Sequence, residues 1–423
     1  MGERTIVGLD IGTSVIRAVI AEVKDDDKLY VIATASRVSA GMENGVIVNI
    51  EAAKDAIRET IEAAENTAGV SVDSVIVSIG GTTVESQNYK GVTPIMPNNK
   101  GVQREITRED VDKVIEIATA INFPMDREKI HTIPQDYIVD GIDGISNPVN
   151  RMGYKLEVEV HVVTASKSII RNLRNTIQRA NYILDGVMLK TLAQAKSVCH
   201  QDEMELGSII IDLGAGTTDA IVLIDDAPVC TASIKVGGNL VTNDIAVVTG
   251  IPVSVAETIK LENGCCWLPG IGENDTDIIL PGVGGRAPEV LAKSSLCQII
   301  QARMEQIFNM IKDAIVTNSN RSIKKLSGNI ILTGGGAQME GIIELTQAVF
   351  KTSAVRLGIP EKLGGTEAEY RRPDFATVVG LVLANKSMAR SSDSRRKARV
   401  KAARTENEKN GDSAFKRFIK TFF

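Results

Sequence analysis

Two short turns in this chain carry an aspartate, glycines and hydroxyl side chains in the same order: VGLDIGTS at residues 7–14 and IIDLGAGTTD at residues 210–219. In each, an apolar strand delivers an acid, Asp10 or Asp212, to a tight glycine turn from which a second apolar strand leaves. A phosphate lies against backbone N–H donors only where no Cβ intervenes. Gly12, Gly214 and Gly216 are therefore candidate phosphate contacts, with Thr13, Ser14, Thr217 and Thr218 adding hydroxyl donors. Mg²⁺ binds through one or two carboxylates plus phosphate oxygens and retained waters, which makes Asp10 and Asp212 the candidate metal holders. Arg17, on the strand after the first turn, is a forked donor for the outer phosphates. One such turn is also what an ordinary β-hairpin looks like; two copies point to ATP gripped from both sides.

A third signal is NIILTGGGAQMEGI at residues 329–342, a buried-type strand running into Gly334, Gly335 and Gly336 and then a helical segment containing Met339. Backbone N–H groups at a helix start would face the nucleoside and its α-phosphate. Alone, this is a tight-turn pattern; after the two hairpins it completes a nucleotide site.

Hairpin, hairpin and glycine loop in this order resemble the actin, heat-shock-70 and sugar-kinase superfamily. Residues 6–23 (IVGLDIGTSVIRAVIAEV), IHTIPQDYIVDG with NPV, GGNLVTNDIA, VGGRAP and the basic-aromatic tail narrow the resemblance to the FtsA family of actin-like bacterial cell-division proteins. It covers residues 6 to about 386 plus the terminal segment. The fold it implies is α/β and actin-like: two lobes, each with a ribonuclease-H-like core and an inserted subdomain, and a C-terminal amphipathic helix.

The elements then fall as follows. Residues 1–83 begin the core of lobe I (1A), with strands near 31–37 and 75–79 and a helix through 51–68. Residues 84–161 form an insertion, subdomain 1C. In it Thr107 and Asp110 offer a capping-box start, and Val111, Val114, Ile115, Ala118 and Ile121 mark one helical face. Residues 162–191 return to lobe I. Lobe II (2A) occupies 192–235 and 303–369, interrupted by subdomain 2B at 236–302, and residues 370–386 come back to lobe I as a second connecting helix. In 2B the resemblance places Gly238 and Asn239 beside the nucleotide, and Glu257 and Lys260 at its ribose and base. The i, i+3 spacing of that last pair gives them one helical face, where a solvated ion pair is the plainer reading.

Brisk actin-like ATPases carry Glu or Gln at the head of the first connecting helix to orient water, as positioned Gln residues do in other hydrolases. Here the segment reads LDGVMLKTLAQAKSV, with Lys190 and Thr191 near the expected acid and Gln194 a turn later. No base stands out. The expectation is weak or slow ATP hydrolysis and a mainly nucleotide-dependent scaffold.

Composition fits a globular body: 43% hydrophobic and 24% charged residues, with five cysteines in neither a disulfide framework nor a zinc spacing. No signal-peptide pattern precedes the first strand, no apolar run reaches 18 residues, and MGERTI lacks a myristoylation serine or threonine. Residues 387–423 hold 11 Lys and Arg against 4 Asp and Glu, whereas the chain as a whole carries −5. An acidic body therefore bears a basic tail, and no nucleic-acid partner is expected. Residues 387–412 read as a disordered linker.

The last eleven residues differ. Phe415, Phe418, Ile419 and Phe422 form one helical stripe, Lys416, Arg417 and Lys420 sit on or beside the polar face, and Phe423 follows. This is the pattern of a helix lying in an anionic membrane interface; docking on the protein's own body is the alternative. Burial of a Phe or Ile is worth roughly 1.5–3 kcal/mol and each basic residue about 1, set against the ordering of a short helix. One copy binds reversibly; a polymer binds far more tightly.

The resemblance implies filament formation, other division proteins on 1C, and docking of the FtsZ C-terminal peptide on 2B, with Arg286 and Arg303 as candidate contacts. It places the protein at the cytoplasmic face of the membrane, at the septum. Three other functions are to be weighed: a pilus-assembly-type actin-like scaffold, a small-molecule kinase, and a heat-shock-70 chaperone, which would need a large substrate-binding domain that the tail cannot supply. A kinase would need a catalytic aspartate and would have no use for the tail.

Overall fold

The computed structural model describes residues 4–24, 27–97, 103–272, 275–282, 284–285, 287–319, 329–386 and 390–391. Residues 413–423, Arg286 and the expected linker at 387–412, apart from Arg390–Ser391, lie outside the described residues; those two residues form a short strand paired with the chain's first strand, where a disordered linker is expected.

Lobe I opens with β1 (Arg4–Ile11), β2 (Val15–Val23) and β3 (Leu29–Val38), followed by the small ribbon β4 (Met42–Glu43) with β5 (Val46–Ile47). Helix α1 (Ile50–Ala68) starts where Asn49 Oδ1 accepts the Ala52 N–H and stops at Gly69 in the left-handed region. Strand β6 (Ser74–Ile79) pairs parallel with β1. An inserted module follows: β7 (Val84–Pro94), β8 (Arg104–Glu105), α2 (Arg108–Thr119), β9 (Arg127–Val139), β10 (Ile142–Ile145), β11 (Met152–Gly153) and β12 (Lys155–Ser166). Its sheet runs β10-β9-β12-β7, and α2 lies on it over a separate small core that includes Ile106, Val114, Leu156 and Val160. The Thr107–Asp110 capping box is present, and Arg104 grips the Asp110 carboxylate with both Nη atoms at 2.6 and 2.8 Å. That arginine, against the opposing effect of burial and with help from the Thr107 groups, holds the Asp110 carboxyl well below the usual carboxylate range. Ile121, expected on the buried helical face, lies beyond the end of α2.

Helix α3 (Lys167–Arg179), β13 (Ile183–Leu189) and α4 (Lys190–Val198) lead out of lobe I, and α5 (Gln201–Leu206) leads into lobe II. There β14 (Ser208–Leu213), β15 (Thr218–Ile224) and β16 (Ala227–Ile234) form the second meander. Helices α6 (Gly238–Thr249) and α7 (Val253–Asn263), the ribbon β17 (Ile278–Leu280) with β18 (Glu289–Leu291), and α8 (Lys293–Asn318) follow. The chain then returns through β19 (Ile330–Thr333), α9 (Ile342–Phe350), β20 (Val355–Leu357), the short α10 (Glu367–Tyr370) and α11 (Ala376–Ala384), before β21 (Arg390–Ser391) pairs with β1. Helix α8 runs unbroken across the 302/303 boundary expected for 2B, and α4 across the expected 191/192 boundary.

The two sheets repeat one another. Lobe I is ordered β3-β2-β1-β6-β13 and lobe II β16-β15-β14-β19-β20, each with two antiparallel pairings followed by two parallel ones. The central strands are apolar almost throughout, as strands covered on both faces must be; β14 is buried along its whole length. The lobes do not keep wholly separate cores. One apolar cluster joins Val19, Val31 and Met188 to Ile210, Ile221 and Ile331 through α4 and α11. Among the described residues no single helix is long and apolar enough to cross a membrane.

Lobe II also contains a buried ion cluster. Glu203 accepts from Arg356 Nε and Nη2 at 2.6 and 2.5 Å, from Asn329 at 2.5 Å and from the His200 N–H at 2.9 Å. Burial pushes its carboxyl up, but these donors outweigh burial and hold it at about 2. Because the folded value lies below the unfolded one, the stabilisation is present above pH ~4.5 and is lost as pH falls toward 2. Glu203→Gln should therefore cost about 1.5–3 kcal/mol at pH 7 and progressively less below pH ~4.5. Urea midpoints of both proteins taken from pH 7 to pH 3 test this; a gap independent of pH would refute it.

Candidate functional site

The two hairpins face one another across a cleft of about 650 Å³. Both turns close identically: the Gly12 N–H donates to Val15 O at 3.2 Å and the Gly214 N–H to Thr217 O at 3.1 Å. A Cβ on Gly12 or Gly214 would strike that same carbonyl, at 2.5 and 2.7 Å, so these glycines are required first by the turn itself. Gly216 is required by the opposite lobe, since its Cβ would come within 2.8 Å of Asn44 Cα and Thr13 Oγ1.

All but one of the nucleotide candidates line the cleft: Asp10, Gly12, Thr13, Ser14, Arg17, Asp212, Gly214, Gly216, Thr217, Thr218, Gly238, Glu257, Lys260, Gly334, Gly335, Gly336 and Met339. Asn239 does not; it is exposed, and its N–H donates to Ala215 O at 2.8 Å. Several candidates are already engaged. Thr13 Oγ1 accepts the Gly45 N–H, Thr217 donates to Asp219 Oδ2, and Thr218 donates to Val236 O. Arg17 donates to Asp374 Oδ2 at 2.7 Å and lies over the Phe375 ring, so Asp374, shared with Arg372, holds the guanidinium expected at the phosphates. Glu257 and Lys260 form their ion pair at 2.7 Å, and Lys260 also donates to Gly238 O and Thr242 Oγ1. The pair is therefore an ion pair on the cleft wall, with the lysine largely shielded from solvent.

The triple-glycine loop does not run directly into an α-helix. Gly335–Gln338 form a single 3-10 turn and α9 starts only at Ile342. A side chain on Gly335 would meet no atom within 4 Å, which leaves that backbone open to the cleft.

The acids set the electrostatics. Asp10 accepts from Ser78 Oγ at 2.6 Å. Asp212 is fully buried; Lys190 Nζ lies 2.5 Å from its Oδ2 as an ion pair, and neither carboxylate oxygen has a hydrogen-bond partner of regular geometry among the described residues. Asp219 accepts from Ser233, Thr217 and, across the lobes, the Gly81 N–H at 3.0 Å. Burial pushes the Asp219 carboxyl up against the opposing pull of Lys190. Burial alone would lower the Lys190 ammonium, but Asp212, Asp10 and Asp219 reverse that and raise it. Among the described residues no group of three or more His, Cys, Asp or Glu is arranged to hold a metal, so Mg²⁺ here would rest on Asp10 and Asp212 together with phosphate oxygens and water. The orphaned Asp212 Oδ1 and the open glycine backbone fit such a ligand.

The head of α4 presents Lys190 to the cleft. Gln194 is buried between helices, donating to Thr377 Oγ1 at 3.0 Å, and does not line the cleft. Ser78, Lys190, Asp219, Arg372 and Asp374 line it as well. Of these the sequence flagged only Lys190, for its position; aligning the two hairpins residue by residue would have brought out Asp219, which faces Asp212 as Arg17 faces Asp10.

The family model "Cell division protein FtsA" matches residues 209–380, and "SHS2 domain inserted in FTSA" matches residues 81–164, the span of the inserted sheet. The cell division protein FtsA of Borreliella burgdorferi is 44% identical over 384 residues, covering 90% of this chain and 91% of that protein. This chain belongs to the FtsA family. It is also 35% identical over 380 residues to FtsA of Pseudomonas aeruginosa, covering 90% of this chain and 89% of the relative. The fold of this FtsA-family protein is the actin-like ATPase fold. Among solved structures, a PilM–PilN type IV pilus biogenesis complex superposes with a TM-score of 0.61 at 17% identity, covering 89% of this chain and 97% of that one. MreB5 of Spiroplasma citri bound to AMPPNP gives 0.55 at 15% identity, covering 95% and 99%. The chain is thus an actin-like cell-division protein.

Arg303, on α8 at the border of the expected 2B, is bound by Asp244 of α6 through Nε and, at 2.9 Å, through Nη2.

Proposed function

We propose that this FtsA-family protein closes its lobes on one ATP with Mg²⁺, assembles with copies of itself, and tethers the FtsZ ring to the inner face of the cytoplasmic membrane at the septum. The observation that carries the nucleotide reading is the convergence of Asp10, Asp212 and the Gly334–Gly336 backbone on one cleft, with Asp212 Oδ1 unpartnered. The AMPPNP-bound MreB5 neighbour supports it. Bound Mg²⁺ would neutralise phosphate charge; the glycine turns supply N–H donors, and the Glu257–Lys260 wall faces the nucleoside. With Lys190 at the head of α4 and Gln194 buried elsewhere, no side chain there orients an attacking water, and turnover is slow.

Docking of the FtsZ peptide on 2B would require one of its carboxylates to take Arg303 over from Asp244. The surface of 1C is left for other division proteins. Membrane attachment rests on the stripe Phe415, Phe418, Ile419 and Phe422 with its flanking cations.

Co-sedimentation with phosphatidylglycerol-containing vesicles tests the membrane attachment and its coupling to the nucleotide. The full chain should pellet with vesicles, more completely with Mg-ATP, and a chain ending at residue 412 should stay in the supernatant under both conditions. Equal pelleting of the shortened chain would remove the tether, and indifference of the full chain to ATP would remove its coupling to the nucleotide.

A further inference from the structure

The two hairpins differ at one charged position, a cation in lobe I and an anion in lobe II. In the lobe I hairpin Asp10 stands opposite Arg17; in the lobe II hairpin Asp212 stands opposite Asp219. Like charges directly opposite one another in an antiparallel ladder repel, and both of these are buried, where an uncompensated carboxylate is costly. Among the described residues, the cations that line the cleft are Arg17, Lys190, Lys260 and Arg372. Arg17 and Arg372 are both bound to Asp374, and Lys260 is bound to Glu257. Lys190 is left for the hairpin acids, and its Nζ is 2.5 Å from Asp212 Oδ2. Its stem rises from the head of α4 against Gly80, and the ammonium also reaches toward Gly214, whose Cβ position is 3.9 Å from Nζ.

Building on the proposed nucleotide site, we infer that Lys190 is a built-in counter-ion that competes with the divalent metal for the hairpin carboxylates and stays behind as a phosphate ligand, so that this protein holds ATP with little dependence on Mg²⁺. An ammonium on a flexible four-carbon stem suits this exchange: it sits on Asp212 in the nucleotide-free protein, its other N–H donors bridge from Asp212 to a phosphate oxygen when ATP enters without metal, and it turns to phosphate alone when a metal takes the carboxylate. Mg²⁺ needs few protein ligands and keeps its waters, so it can be present or absent without rebuilding the turn. The same placement accounts for a lysine at the head of α4.

The test uses the full chain and two readouts that need no turnover. Mn²⁺ binding to nucleotide-free protein, followed by electron paramagnetic resonance, should be at least about 10-fold tighter in Lys190→Met than in wild type, and unchanged in Lys190→Arg, which keeps the charge. ATP affinity, measured by calorimetry, should fall by less than about 10-fold in wild type when Mg²⁺ is replaced by EDTA, and by more than about 100-fold in Lys190→Met. Equal Mn²⁺ affinity in Lys190→Met and wild type overturns the competition. A wild-type loss above about 100-fold in EDTA overturns the counter-ion role without any variant, should Lys190→Met fold poorly. If wild type binds no ATP even with Mg²⁺, the nucleotide reading itself fails, and the Mn²⁺ comparison still judges the competition.

Discussion

Gly334→Ala is expected to weaken ATP binding by about 100-fold or more, some 2.7 kcal/mol, and to destabilise lobe II at the same time. Gly334 has φ +83° and ψ 175°, a region that side chains enter at a cost of about 1–3 kcal/mol. A methyl group there would press on Asp212 Oδ1, the atom left free for a ligand, and would come within 2.7 Å of Leu213 O. Neither neighbour can give way, because β14 is buried throughout and Asp212 is held against Lys190. The methyl would displace the acid from its position in the cleft as well as straining the loop.

The adjacent residue separates the two effects. Gly335 has open space around its Cβ position, so Gly335→Ala should unfold at the wild-type urea concentration while its ATP affinity falls, because the added methyl occupies only the volume meant for ligand. Titration of a fluorescent ATP analogue and urea unfolding of the two variants check this pair. Wild-type affinity in Gly334→Ala would show that the loop does not border the nucleotide.

The repeated hairpins were legible in the sequence because their chemistry is local: strand, acid, glycine turn and strand fit within ten residues, and the backbone closes each turn with its own carbonyl. The Thr107–Asp110 cap and the Glu257–Lys260 face were legible for the same reason, being i, i+3 relations on helices. What the sequence could not show is where a charge finds its partner across hundreds of residues. Arg17 points into the cleft by position, yet Asp374, 357 residues away, captures it. Gly216 reads as room for phosphate, yet its nearest obstacles are Asn44 and Thr13 of the other lobe. Gln194 has the right type for orienting water, but the packing of α4 against α11 turns it onto Thr377. Single-sequence patterns report what a segment does to itself; the sharing of one core between lobes is a property of their contact.

That shared core makes Gly380 a position where a single methyl group should have a large effect on stability. Helices α4 and α11 carry the chain between the lobes and touch so closely that a Cβ on Gly380 would overlap the Ala193 carbonyl. Ser197 Oγ donating to Ala376 O at 2.6 Å and Gln194 donating to Thr377 fix the two helices in that register. Replacing Gly380 by alanine gains about 1 kcal/mol of helix propensity, since glycine is poor inside a helix. Against this stands the overlap with a backbone atom that cannot rotate away, in a core where overpacking costs about 1–3 kcal/mol and occasionally more. The overlap should win, leaving Gly380→Ala less stable by about 2 kcal/mol and Gly380→Val by more. Forced apart, α4 and α11 would loosen Val378 and Val382 from Ile210 and Ile221, so the lobes should begin to melt separately. Scanning calorimetry should show a midpoint lower by several degrees and a transition that broadens or splits in the valine variant. A Gly380→Ala protein as stable as wild type, or more so, would mean that helix propensity governs this crossing and that the lobes are not joined through it.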